Sequence, residues 1–88
     1  MLINHSISKN IYTIIQGHVD KREHIDLEGA FEDIGVGSLH FVKIMVEIEI
    51  QYEVEIDNKY YTDEYKNIGD FINKITDYLS ADGEYYGN

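Results

Sequence analysis

Ile3, Ile7, Ile11, Ile14, Ile15 and Val19 recur at steps of three and four. That spacing puts them on one stripe and predicts a helix through roughly the first 18 residues, ended by Gly17 and the polar stretch after it. From Asp20 to Gly37 the period is lost. Ile25, Leu27, Phe31 and Ile34 are scattered among charges and the glycines at 29, 35 and 37, which reads as a long ordered loop with apolar residues folded back onto the core. A second helix is expected from Ser38, a good N-cap type after a glycine, to about Tyr52. Its apolar positions include Leu39, Val42, Met45, Val46 and Ile48, and Phe41, Ile44 and Ile50 widen the stripe. It exceeds the ~100° that core burial requires, so this helix is either buried on several sides or offers apolar groups to a partner.

The alternation in Tyr52 to Ile56 resembles a strand, but no second strand is evident to pair with it, and an unpartnered strand leaves backbone groups unsatisfied. Residues 57–66 suit a loop with at most a short helical turn. The final helix is the clearest: Asn67 caps it, Asp70 lies in its first turn, and Ile68, Phe71, Ile72, Ile75 and Leu79 follow at helical steps to a stop between Ser80 and Gly83. One domain over residues 1–82 with a frayed tail at 83–88 is expected.

Composition narrows the chemistry. Seventeen acidic residues against seven Lys plus Arg leave a formal charge of −10, which disfavours nucleic acid and anionic membrane surfaces and favours basic partners. Eleven of the acids lie in residues 45–88, against three bases there. With no cysteine there is no disulfide framework, thiolate metal site or catalytic thiol. The N-terminus lacks the pattern of a secretory signal and no apolar run is of spanning length, so a cytoplasmic, monomeric protein is expected. His5, His18, His24 and His40 show no metal-binding spacing. His40 cannot face Ser38 from two positions along a helix, which argues against a serine hydrolase. Residues 57–64 lack the glycine and oxygen ligands of a calcium loop.

The remaining candidate is Asp33-Ile34-Gly35-Val36-Gly37-Ser38-Leu39, which presents a serine at the mouth of an apolar helix. A phosphodiester on that hydroxyl would lie beside free backbone N–H groups and the positive end of the helix dipole. Phe31 to Ile56 resembles the heart of an acyl or peptidyl carrier protein, and the helix order extends the resemblance across about residues 3–80. It implies an all-α, four-helix bundle of the acyl-carrier type, with a long loop between helices 1 and 2 and a short third helix. It also implies a stand-alone, non-catalytic carrier with 4'-phosphopantetheine on Ser38, holding an intermediate as a thioester. The implied partners are a phosphopantetheinyl transferase, a loading enzyme (an adenylating ligase or an acyltransferase) and downstream biosynthetic enzymes.

By the same resemblance, Gly37, Leu39, Phe41, Val42, Lys43, Val46 and Glu47 are the expected docking residues. For Val42 and Val46 core packing is an equal alternative, and Glu47, Glu49, Glu53 and Glu55 can equally form a solvated face. Gly37 stands where fatty-acid carriers have aspartate, and Lys43 and Ile50 stand at usually acidic positions. These departures point to a specialised pathway of the secondary-metabolite type. The rival reading is a helical adaptor that binds a partner through the apolar second helix, with Ser38 as a cap only.

Overall fold

In a computed structural model, which describes residues 2–19, 24–62 and 64–81, the isoleucine stripe forms α1 (Leu2–Gly17), followed by α2 (Ser38–Tyr52) and α3 (Ile68–Ala81). The three helices converge on one aliphatic core. Ile11 and Ile15 of α1, Ile44, Met45 and Ile48 of α2, and Phe71, Ile75 and Leu79 of α3 are fully buried. Each such aliphatic or aromatic side chain contributes ~1.5–3 kcal/mol relative to exposure, so the helical period read along the chain is the main source of stability. α1 packs chiefly on α3 and less extensively on α2. The one buried polar side chain named in the described core, Thr76, is satisfied by the Ser8 hydroxyl at 3.3 Å.

From His24 onward, the long connection between α1 and α2 is held by local chemistry. Ile25 and Val36 are buried in the core. The Ile25 N–H donates to the Tyr12 hydroxyl at 2.9 Å, tying the loop to α1. Two backbone bonds staple the loop to the start of α3: Ile68 N–H donates to the Gly29 carbonyl at 3.0 Å and Gly69 N–H to the Leu27 carbonyl at 2.8 Å. These bonds satisfy donors that a helix N-terminus leaves open. Glycine suits this close approach at position 69, because a Cβ would meet the Leu27 carbonyl at 3.2 Å and the loop would have to give by a few tenths of an ångström.

Three features differ from the sequence expectations. The loop is not without secondary structure, since Phe31–Ile34 forms a 3-10 turn in which the Asp33 carboxylate accepts from Ala30 N–H at 3.0 Å. The short third helix is a single 3-10 turn, Asn58–Tyr60, opened by the Asp57 carboxylate accepting from Lys59 N–H at 3.1 Å. The described residues therefore hold three α-helices and two short turns. Ser38 is not the N-cap of α2. Gly37 is, with extended backbone and a carbonyl that accepts from Phe41 N–H at 2.8 Å, and Ser38 is already the first helical residue. Gly37 has extended backbone that any residue can adopt, whereas Gly35, at φ +80°, lies where glycine is favoured.

The strand-like stretch after Tyr52 is irregular backbone. Glu53 closes α2 in the left-handed region at φ 55°, and Val54 N–H returns to the Glu49 carbonyl at 3.1 Å. Ile56 is buried while Glu53 and Glu55 are exposed, which explains the alternation without a strand. Asn67 caps α3 as expected, accepting from Asp70 N–H at 2.7 Å. The expected tail at 83–88 lies outside the described residues.

Candidate functional site

Ser38 is exposed at the first turn of α2. Because the first intrahelical bond runs from Phe41 N–H to Gly37, the N–H groups of Ser38, Leu39 and His40 have no acceptor within the helix. They line the same helix end as the serine hydroxyl, where the dipole favours negative charge. The flank at Gly37 is open, since a Cβ built there would meet nothing within 4 Å. A phosphodiester on Ser38 Oγ therefore fits this helix end in both space and electrostatics.

Beside Ser38 lies an open cleft of about 680 Å³ between the Phe31–Ile34 turn, the start of α2 and the segment after Tyr60. Phe31, Phe41, Tyr61 and Tyr65 supply aromatic walls, with Val36 and Val42 between them. The rings interlock. Phe41 meets Phe31 edge-on at 5.5 Å between centroids and Phe71 at 5.4 Å, and Tyr65 meets Phe71 at 5.1 Å. Phe41 thus belongs to the cleft floor more than to an outer docking face, and burial pushes the Tyr65 hydroxyl up to a pKa of about 12.

Away from the core, α2 presents a second apolar stripe. Leu39 and Ile50 are 74% and 71% exposed, and Val42 and Val46 are 41% and 40% exposed. Their spacing of three, four and four puts them on one side, opposite Ile44, Met45 and Ile48. The broad apolar pattern is therefore divided: Leu39, Val42, Val46 and Ile50 face outward, whereas Ile44 is absorbed in the core and Phe41 packs against it. Lys43 is exposed beside this stripe.

The acidic residues of α2 are occupied within the chain. Glu47 Oε1 lies 2.7 Å from His18 Nε2 just past the end of α1, and the His18 ring packs edge-on against His40 at 5.1 Å. Glu49 Oε2 accepts from Ile56 N–H at 2.8 Å. The Tyr61 hydroxyl approaches the same carboxylate, and burial followed by that contact pushes its pKa up to about 12. Sequence reasoning grouped these glutamates as docking or solvated charges. It had no signal for either contact, because His18 lies 29 positions from Glu47. Although the structure gathers His18, His40 and Glu47, no group of three or more His, Asp or Glu among the described residues is arranged to hold a metal ion.

No helix among the described residues is long and apolar enough to cross a membrane. No protein-family model and no solved structure gives a significant match to the chain. Over 77 residues it is 32% identical to the acyl carrier protein of Rickettsia bellii (strain RML369-C), covering 85% of this chain and 88% of that protein. With an all-helical core, an exposed serine at the start of its second helix and this similarity over most of its length, the chain belongs to the acyl carrier protein family.

Proposed function

We propose that the protein is a carrier that takes a 4'-phosphopantetheine arm on Ser38 Oγ and presents a tethered acyl or peptidyl intermediate to successive enzymes, with no catalysis of its own. When bound, the arm supplies the thiol that holds cargo as a thioester. The observation that carries this reading is the position of Ser38, which is exposed, relieved of capping by Gly37, and set at a helix N-terminus beside a cleft. The helix-end N–H groups hold the phosphodiester, and the open flank at Gly37 admits the modifying enzyme.

A phosphopantetheinyl transferase joins Ser38 Oγ to the phosphate of the arm, the pyrophosphate bond of coenzyme A breaks, and adenosine 3',5'-bisphosphate leaves. A loading enzyme, an adenylating ligase or an acyltransferase, then supplies the cargo. Partners dock on the stripe of Leu39, Val42 and Val46, with Ile50 and Lys43 at its border. Docking must be weak enough for a shuttle to leave each station. Gly37, Lys43 and Ile50 support a dedicated pathway of the secondary-metabolite type, because a docking patch built for an acidic helix meets a cation and an apolar side chain here. The carrier is read as a cytoplasmic monomer.

Intact mass measured before and after incubation with coenzyme A and a broad-specificity transferase tests this directly. The expected result is a gain of one arm that is absent in Ser38→Ala, while that variant keeps its melting temperature because no cap is lost. A folded wild-type protein that gains no mass with several transferases would sink the carrier reading. The exposed α2 stripe would then favour a helical adaptor.

A further inference from the structure

Resting on the carrier reading, we infer that the cleft beside Ser38 is a cargo site for a short, flat acyl group, aromatic in character, and that Phe41 sets its depth. Four of the residues lining the cleft are aromatic: Phe31, Phe41, Tyr61 and Tyr65. Aromatic rings favour a planar guest through edge-on and offset contacts, whereas an alkyl chain draws no such directional benefit. Space is ample, since a benzene-sized guest occupies an enclosed cavity of about 150 Å³ and the cleft offers about 680 Å³.

The depth is limited by the floor. Phe41 is braced by Phe31 at 5.5 Å and by Phe71 at 5.4 Å, and Phe31 meets Phe71 at 5.2 Å. Phe71, which braces Phe41, is 0% exposed, as are Ile44, Met45 and Ile48 on the buried side of α2. A long alkyl chain would have to displace this ring cluster to pass between the helices, and close-packed interiors resist such insertion. The cleft is instead open to solvent and carries polar groups at its margin, Glu32, Thr62 and Asn67. A compact aryl group with polar substituents suits that margin, and a long aliphatic tail does not.

The test loads Ser38 enzymatically with the arm alone, with a benzoyl arm and with a hexadecanoyl arm, each from the corresponding coenzyme A derivative. Intact mass verifies each loading, and side-chain nuclear magnetic resonance shifts are compared with the arm alone. The benzoyl form is expected to shift ring signals of Phe31, Phe41, Tyr61 and Tyr65. The hexadecanoyl form is expected to leave the methyl signals of Ile44, Met45 and Ile48 in place, and to move them once Phe41 is replaced in Phe41→Ala or the milder Phe41→Leu. Core methyl shifts in hexadecanoyl wild type, or unmoved rings in the benzoyl form, would overturn the inference while leaving the carrier reading standing. Failure of all three loadings would remove the carrier reading itself, and this inference with it.

Discussion

α2 and α3 are nearly equal in length, 15 and 14 residues, and both are rich in isoleucine, yet folding uses them differently. In α3 the aliphatic and phenylalanine positions, Ile68, Phe71, Ile72, Ile75 and Leu79, are all buried. α2 contributes Ile44, Met45 and Ile48 to the same core and turns Leu39, Val42, Val46 and Ile50 outward. Stability accounts for every large apolar residue of α3. It accounts for only part of α2, and the surplus runs along the outer side of the helix from Leu39, beside Ser38, to Ile50 in its last turn. Such an exposed apolar stripe on one helix of a small, highly charged domain is what the proposed docking surface calls for.

The comparison is broken most sharply from the α3 side. Phe71→Ala removes a fully buried ring that braces Phe31, Phe41 and Tyr65. It is expected to cost ~3–5 kcal/mol in chemical denaturation. In so small a domain that is a large fraction of the total, and a midpoint near that of wild type would contradict the packing described.

A middle-sized effect is expected where a glutamate of α2 serves the fold. Glu49→Ala leaves the Ile56 N–H without its acceptor and should cost about 1–3 kcal/mol, read from the same denaturation curves. The pH dependence of stability refines this. Tyr61 keeps its proton in the native state to about pH 12, whereas its ordinary pKa is 10.0. The unfolded chain therefore loses protons first, and stability falls as pH rises from about 10 towards 12. That decline should be shallower in Glu49→Ala but still present, because burial is the larger cause of the shift. An identical slope in both proteins would show that the carboxylate does not reach Tyr61.

The smallest change in stability is expected on the outward stripe. Ile50→Gln should leave folding unchanged within ~0.5 kcal/mol. The same substitution should raise the transferase KM for the protein by about fivefold to tenfold, the equivalent of ~1–1.4 kcal/mol. Loss of stability without a change in KM would mean that Ile50 belongs to the fold and not to docking.

Helix positions were largely legible because they depend on local periodicity. The isoleucine spacing marked α1, the Asn67 cap and the run from Ile68 marked α3, and Ser38 to Tyr52 marked the span of α2. The place of Ser38 at the mouth of α2 was legible from the local pattern, whereas its choice as an attachment site rested on the resemblance of Phe31 to Ile56 to carrier proteins. Its capping role was misassigned by one position, since whether Gly37 or Ser38 has extended backbone depends on how the loop arrives. The turn at Phe31–Ile34 was missed for a similar reason. Four residues are too few to show a period, and the turn is held by Asp33 and by packing of its phenylalanine on α2 and α3.

The sequence by itself determined the helical class, the location of the exposed serine and the excess of apolar residues on α2, because each follows from the order of neighbours along the chain. Only the tertiary structure decided which apolar residues face outward, which glutamates are occupied by His18 and Ile56, and that four aromatic rings form a cleft beside Ser38. Those outcomes depend on residues far apart in the chain meeting in space, and periodicity carries no information about the partner that lies across the core.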